Sequence, residues 1–369
     1  MKKIIVLLLL LPLLFCGCVE MEQIEELAFV KIVGIDKTGD GLTVSVGIKL
    51  PENEQGQKIP GQDFISVECS TLSQGLNMIE SLSESKIFYG QVSSILLGEG
   101  MARGGILPVL DFMMRSKDFR FDLPVLVVKN DTAKHLIAEG TGDTKYISEK
   151  IDILLASAYS TSVSGKVSLS KLIEMMEDPY RSSYLPYLDV SENISQPRLA
   201  GYCIFKKDKL ACFLNRQNSV GLNYLNNTIE DIVVITQVND SDVTLKLSQS
   251  KTKIRFTDDG FQVKVDFLSE VLQAESGIEE FSGEIIDELI VKQNEIVKNM
   301  IESCIQTLQE KECDAADFGG ALYRSKPKIG EEYQKDWEKR FAAICCQVEV
   351  ASKIDKSKSS GKPADQRGV

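Results

Sequence analysis

From residue 284 to residue 312 apolar side chains recur at three- and four-residue spacing, and that stripe constrains the fold around it. Ile286, Leu289, Ile290, Gln293, Val297, Met300, Ile301, Cys304, Ile305 and Leu308 share one broad face of a single long helix. Such a face needs a sheet to cover it. Residues 243–256 and 261–272 alternate with period two and are joined through Thr257-Asp-Asp-Gly260, which predicts a pair of long strands. Residues 342–354 predict a further strand for the same sheet.

The first half reads as a mixture of the same elements. Residues 29–36 and 42–50 alternate around Lys37-Thr-Gly-Asp-Gly41, a glycine-bearing turn, and predict a hairpin. A polar loop covers 51–62, and a strand covers 64–69. A helix over 71–83 places Leu72, Leu76, Ile79 and Leu82 on one face. One strand is expected over 86–97, a helix over 101–114 interrupted by Gly104-Gly105 and Pro108, a strand over 123–128, and several helices over 131–177. Polarity rises at 191–197, beyond which 199–205 and 210–214 predict another hairpin through Lys206-Lys-Asp-Lys209. The fold class expected is α+β, multi-domain, with mixed or antiparallel sheets and helices packed on them. The division expected is an N-terminal domain over 18–190, with room for two subdomains, a C-terminal domain over 191–355, and a disordered polar tail over 356–369.

Residues 1–17 are read as a leader. Lys2 and Lys3 precede an apolar run over 4–15 broken only by Pro12, too short for a spanning helix. The run ends in Phe15-Cys16-Gly17-Cys18, which resembles a bacterial lipobox, although the usual Leu is Leu14, one place early. Cys18 is then the expected lipidation site, with diacylglycerol on its thiol and cleavage after Gly17. Cys16 follows bulky Phe15 and is a poor alternative. An ordinary secretory leader with two incidental cysteines is the plainer reading.

Charge narrows the partners. The formal net charge is −12, and becomes −14 once Lys2 and Lys3 leave with the leader. An acidic body is poorly suited to nucleic acid or to anionic lipid, so anchoring falls to the acyl chains. Apolar content of 43% supports packed cores rather than a disordered stalk.

Chemistry is hard to find. The chain has no phosphate-binding glycine loop, no HExxH and no GxSxG. The seven cysteines after Cys18 show no metal spacing and read as small buried hydrophobes; if any disulfide forms, Cys203–Cys212 is the least implausible. His135 is the sole histidine and reads as a surface or capping residue. No catalytic, metal or cofactor residues are expected, and a secreted hydrolase has no nucleophile motif here.

In order along the chain, several blocks resemble the Ger(x)C family, the C subunits of bacterial spore germinant receptors. They are Cys18; Glu26-Leu-Ala-Phe-Val30 with Gly34-Ile-Asp36; Ile87-Phe-Tyr-Gly90, Leu96-Leu-Gly-Glu99, Ala102-Arg103, Gly105-Ile106 and Leu110-Asp-Phe112, with Arg115 and Arg120 behind them; Gly201-Tyr-Cys-Ile-Phe205, with Lys206 and Leu210; then Ser250-Lys-Thr-Lys-Ile254, Asp314, Asp317-Phe-Gly319 and Trp337. The family's Trp after the lipid cysteine is Val19 here, and its His after the second-block Gly is Gln91. The resemblance implies mixed α/β domains and a non-enzymatic lipoprotein on the outer face of the spore inner membrane. It also implies integral-membrane A and B subunits as partners. Plain structural roles stand beside it: Gly34, Gly90 and Gly201 at bulges or turns, Asp111, Arg115 and Arg120 as a charge network, Trp337 as a plug in the second core. The rival from another class is a lipid-anchored solute-binding protein of a transporter, with two lobes of parallel sheet about a hinge.

Overall fold

The computed structural model describes residues 27–49, 63–139, 147–161, 163–190, 197–239, 241–274 and 282–355. The leader 1–17, the lipobox with Cys18, the loop 51–62 and the tail 356–369 lie outside the described residues.

The first sheet grows from the predicted hairpin, β1 (Leu27–Thr38) and β2 (Gly41–Lys49), with β3 (Phe64–Cys69) added beside β2. Next comes α1 (Leu72–Leu82), capped by the Thr71 hydroxyl, which accepts from the Gln74 N–H at 3.2 Å. Leu72, Leu76 and Ile79 face inward as expected, but Leu82, the last residue of the helix, is 53% exposed.

The single strand expected over 86–97 is two, β4 (Lys86–Phe88) and β5 (Ser94–Gly98), each parallel to a different stretch of β1. The helix expected over 101–114 is also two, α2 (Glu99–Gly104) and α3 (Leu107–Arg115). Gly105 sits between them at φ 119°, and Pro108 opens the second, where its missing N–H costs nothing.

Then follow β6 (Val125–Lys129), α4 (Ala133–Glu139), α5 (Ile147–Thr161), α6 (Leu169–Glu177) and β7 (Tyr184–Asp189). β5, β6 and β7 run parallel at the centre of the sheet. Their residues are buried nearly throughout, as strands covered on both faces must be. One face carries α4 and α5 through Ile32, Leu96, Leu126, Ile137, Ile151 and Leu188; the other faces the main core.

The second predicted hairpin, β8 (Arg198–Lys206) and β9 (Lys209–Phe213), adds antiparallel to β7 and so extends this first sheet. The strand order is β3-β2-β1-β5-β6-β7-β8-β9, with β4 beside β1.

α7 (Arg216–Leu225) leads into the second sheet: β10 (Asp231–Val238), β11 (Ser241–Thr257) and β12 (Gly260–Ala274), an antiparallel meander. The striped helix is α8 (Gly283–Glu310), and its eight buried residues include Leu289, Gln293, Val297, Ile301 and Leu308. Ile290 and Met300 are half-buried at the edges of the stripe. α9 (Phe318–Ser325), α10 (Pro327–Tyr333) and α11 (Trp337–Ala343) precede β13 (Cys346–Ile354), which lies parallel to β12. The last strand starts later than expected because Ala342 still belongs to α11.

The architecture is multi-domain α+β, two mixed sheets with helices packed on them. The described residues do not form two like lobes of parallel sheet around a hinge. No helix among them is long and apolar enough to cross a membrane.

Candidate functional site

The family-like motifs converge at two places. The first is the start of α4. Asp36, at the inner end of β1 and 5% exposed, accepts from the N–H of Ala133 at 2.9 Å and of Lys134 at 2.8 Å. These are donors that the first turn of a helix cannot satisfy internally. Burial pushes the carboxyl above its ordinary value, and the two backbone donors oppose that shift. Gly34 lets α4 approach β1, since a Cβ there would stand 2.7 Å from Ile137 Cδ1 and 2.9 Å from Ala133 Cβ. Gly34, Ile35 and Asp36 therefore act as a seat for a helix end. Gly90 lies in a turn and Gly201 at the bulge where the β7–β8 register shifts, as expected, and both are close-approach positions as well. A Cβ at Gly90 would meet the Phe88 ring at 2.6 Å, and one at Gly201 would meet Ser219 Oγ at 2.4 Å.

The second place is the junction of the two halves. Asp314, 2% exposed, accepts from the backbone N–H of Ala316 at 3.2 Å, Phe318 at 3.1 Å and Gly319 at 2.8 Å, and from Trp337 Nε1 at 3.1 Å. Burial pushes its carboxyl up to about 6 against those donors. Its own carbonyl accepts from the Ser182 N–H at 2.8 Å, which ties the first half to the second. The ring of Tyr180 stands edge-on to Trp337 at 6.0 Å and tilted to Tyr323 at the same distance. Gly319 makes room for this stack, because a Cβ there would lie 2.5 Å from Tyr180 Cβ and 2.8 Å from Trp337 Cε2. Lys206 adds a surface clasp, pairing with Glu312 at 2.6 Å and Glu338 at 3.3 Å. Trp337 is a core plug as expected, and it is also a donor to the buried acid. Tyr180 and Ser182 were missed: both follow the predicted helices in a stretch without periodicity.

The other sequence candidates scatter. Asp111 pairs with Arg115 on α3, whereas Arg120 turns away to Asp122 at 3.0 Å and to the Gly90 carbonyl at 3.3 Å. The expected three-residue network is thus two separate pairs. His135 is exposed on α4, between Asp131 at 2.7 Å and Glu139 at 3.2 Å. Cys203 and Cys212 are free thiols: Cys212 stands opposite Ile204, so it and Cys203 point to opposite sheet faces. Burial pushes the thiols of Cys203, Cys304, Cys313 and Cys346 upward, away from the reactive thiolate. Among the described residues no group of three or more His, Cys, Asp or Glu is placed to hold a metal. Asp36 and Asp314 both face backbone donors, an arrangement that seats helices and joins halves.

Comparison with known proteins bears on the same chain. A family model for the spore germination protein N-terminal domain matches residues 20–190, and one for the spore germination B3/GerAC-like C-terminal domain matches 200–358. The chain is 24% identical over 364 residues to the putative spore germination protein YfkR of Bacillus subtilis (strain 168), covering 92% of this chain and 94% of that one. It is 25% identical over 254 residues to spore germination protein B3 of the same organism, covering 66% of each. Among solved structures, that of the GerBC protein superposes with a TM-score of 0.58 at 17% identity, over 90% of this chain and 99% of that one. With both domains present, in order and over nearly its whole length, the chain belongs to the Ger(x)C family, the C subunits of spore germinant receptors.

Proposed function

We propose that this chain is a lipid-anchored, non-enzymatic subunit of a nutrient germinant receptor, held on the outer face of the spore inner membrane. The observation that carries the reading is the ordered match of both family domains. Residues 1–17 serve as the leader, and diacylglycerol on Cys18 holds the body to the bilayer. Each buried CH₂ contributes about 0.8 kcal/mol, so two or three chains anchor firmly. The two domains, over 18–190 and 191–355, then work by contact with integral-membrane A and B subunits. Support for a non-enzymatic role comes from the buried acids and thiols, which are engaged in capping or packing.

The test is spore membrane fractionation and affinity purification with the intact chain and with Cys18→Ala. The intact chain is expected in the membrane pellet, with an acylated N-terminal peptide by mass spectrometry and two integral-membrane chains co-purifying. An unmodified Cys18, or a Cys18→Ala chain that stays fully membrane-bound without partner subunits, overturns the anchoring. Purification with no integral-membrane chains overturns the receptor assembly.

A further inference from the structure

A cavity of about 380 Å³ opens between the two halves, apart from the Asp314 carboxylate. From the first half come Lys171 on α6, Arg181 and Tyr184; from the second come Thr252 on β11 and Asp317 and Arg324 at the two ends of α9. Two of the three cations already have carboxylate partners: Lys171 with Glu174 at 2.6 Å and Arg324 with Asp317 at 2.9 Å. Arg181 has none among the described residues. Its Nη2 donates to Asn226 Oδ1 at 3.1 Å, and its guanidinium carbon lies 6.0 Å from the centre of the Tyr184 ring. Three cations and one carboxylate, Asp317, line the cavity; with Glu174 pairing Lys171 from outside the lining, one positive charge is left over in a chain whose net charge is −12.

Two further observations point the same way. Arg181 Nε and Thr252 Oγ1, on residues lining this cavity, are buried polar atoms without a hydrogen-bond partner. Such atoms are uncommon in folded proteins and cost free energy. The wall is also held in place. Asn227 and Asp317 both line the cavity with φ at 55° and 62°, a region that asparagine and aspartate enter more readily than other non-glycine residues. Asn227 is locked there by two bonds to the Thr252 backbone, accepting from its N–H at 2.6 Å and donating to its carbonyl at 3.0 Å.

We infer that this cavity binds a small oxyanion, a carboxylate or a phosphate, with Arg181 as its principal partner and Lys171 and Arg324 beside it. A guanidinium presents a planar fork of donors that matches two oxygens of such a group. The Asp317 carboxylate competes with the ligand for Arg324. Because the cations come from both halves, an oxyanion seated here draws the halves together, and mass action raises the stability of the whole chain. The site lies outside the proposed anchoring and assembly, and it stands without them.

Calorimetry on the detergent-solubilised full chain tests the site, with inorganic phosphate and acetate titrated separately against matched sodium chloride. At least one is expected to bind saturably with a dissociation constant of about 1 mM or below, and the two arms tell which oxyanion is preferred. Arg181→Gln should weaken binding about tenfold or more, as loss of a charged hydrogen-bond donor does. Asp317→Asn should tighten it by removing the competing carboxylate, and Asn tolerates the positive φ. The inference is overturned if neither salt gives a saturable signal above chloride, or if Arg181→Gln binds as well as the unaltered chain. Should Arg181→Gln fail to fold, unchanged affinity in Asp317→Asn overturns it instead.

Discussion

Gly98 leaves the space that the Asp36 carboxylate fills: a Cβ built on Gly98 would stand 1.9 Å from Asp36 Oδ1. The second-block glycine and the first-block acid are thus one device, with β5 yielding room so that β1 can cap α4. Gly98→Ala must expel the carboxylate from the helix end, at a cost of about 1–3 kcal/mol from a lost cap and an overpacked core. Asp36→Ala should cost a similar amount, and the double variant little more than either, because both changes break the same contact. Denaturant melts of the three variants decide it. Additive losses would show that Gly98 and Asp36 act independently.

Trp337 is expected to matter as a donor as well as a ring. Trp337→Phe keeps an aromatic beside Phe341, now 5.9 Å from the Trp337 ring, but takes one hydrogen bond from the buried Asp314. The expected cost is about 1–3 kcal/mol. Asp314→Asn should cost more, since an amide has one acceptor oxygen for the four donors facing that side chain. Thermal or chemical melts check the order, and Trp337→Phe melting like the unaltered chain would leave the indole N–H without a role.

The longer elements were legible because one face of each is buried and the period shows. β11 alternates buried and half-buried residues over its first eight positions, and α8 buries most of the residues that its spacing marked, Gln293 included, with Ile290 and Met300 half-buried at the edges. β10 was not legible for the opposite reason. Ile232 to Ile235 is a continuous apolar run, yet Val233 and Ile235 are 53% and 64% exposed, so the pattern carries no period. β7 is buried on both faces and offers no alternation either. At the candidate site the single motifs Gly34, Asp36, Gly98, Asp314 and Trp337 were visible, but their pairing was not. Asp36 meets Gly98 and Asp314 meets Trp337 only through sheet register and helix packing, which no local spacing encodes.

His135 gives a pH readout that needs no assignment, because it is the sole histidine. A hydrogen bond to Asp131, reinforced by the charges of Asp131 and Glu139, raises its pKa above 6.5. A group protonated more readily in the folded state contributes stability that is fully present below the unfolded value. That contribution is lost as pH rises through the folded value. Since the ring is exposed, the effect on stability is small and the titration itself is the measurement. NMR of the ring protons should give a midpoint above 6.5, and Asp131→Asn should lower it. A midpoint at or below 6.5 in the unaltered chain refutes the pairing.

The buried stripe of α8 should separate sharply from its outer face. Leu289, Val297 and Ile301 are fully enclosed against the second sheet, so truncating any one to Ala costs about 2–5 kcal/mol through lost burial and a residual cavity. Lys298 is exposed and pairs only loosely with Glu302, at 3.7 Å. Lys298→Ala should therefore stay within about 0.5 kcal/mol of the unaltered chain. Lys292 is a less innocent control than its charge implies. It pairs with Glu288 at 2.8 Å and also donates to the Gln237 carbonyl at the end of β10. Lys292→Ala should thus fall between the two classes. Denaturant melts of the full chain rank the set, and equal losses at Leu289 and Lys298 would mean that the helix is rotated from the face described here.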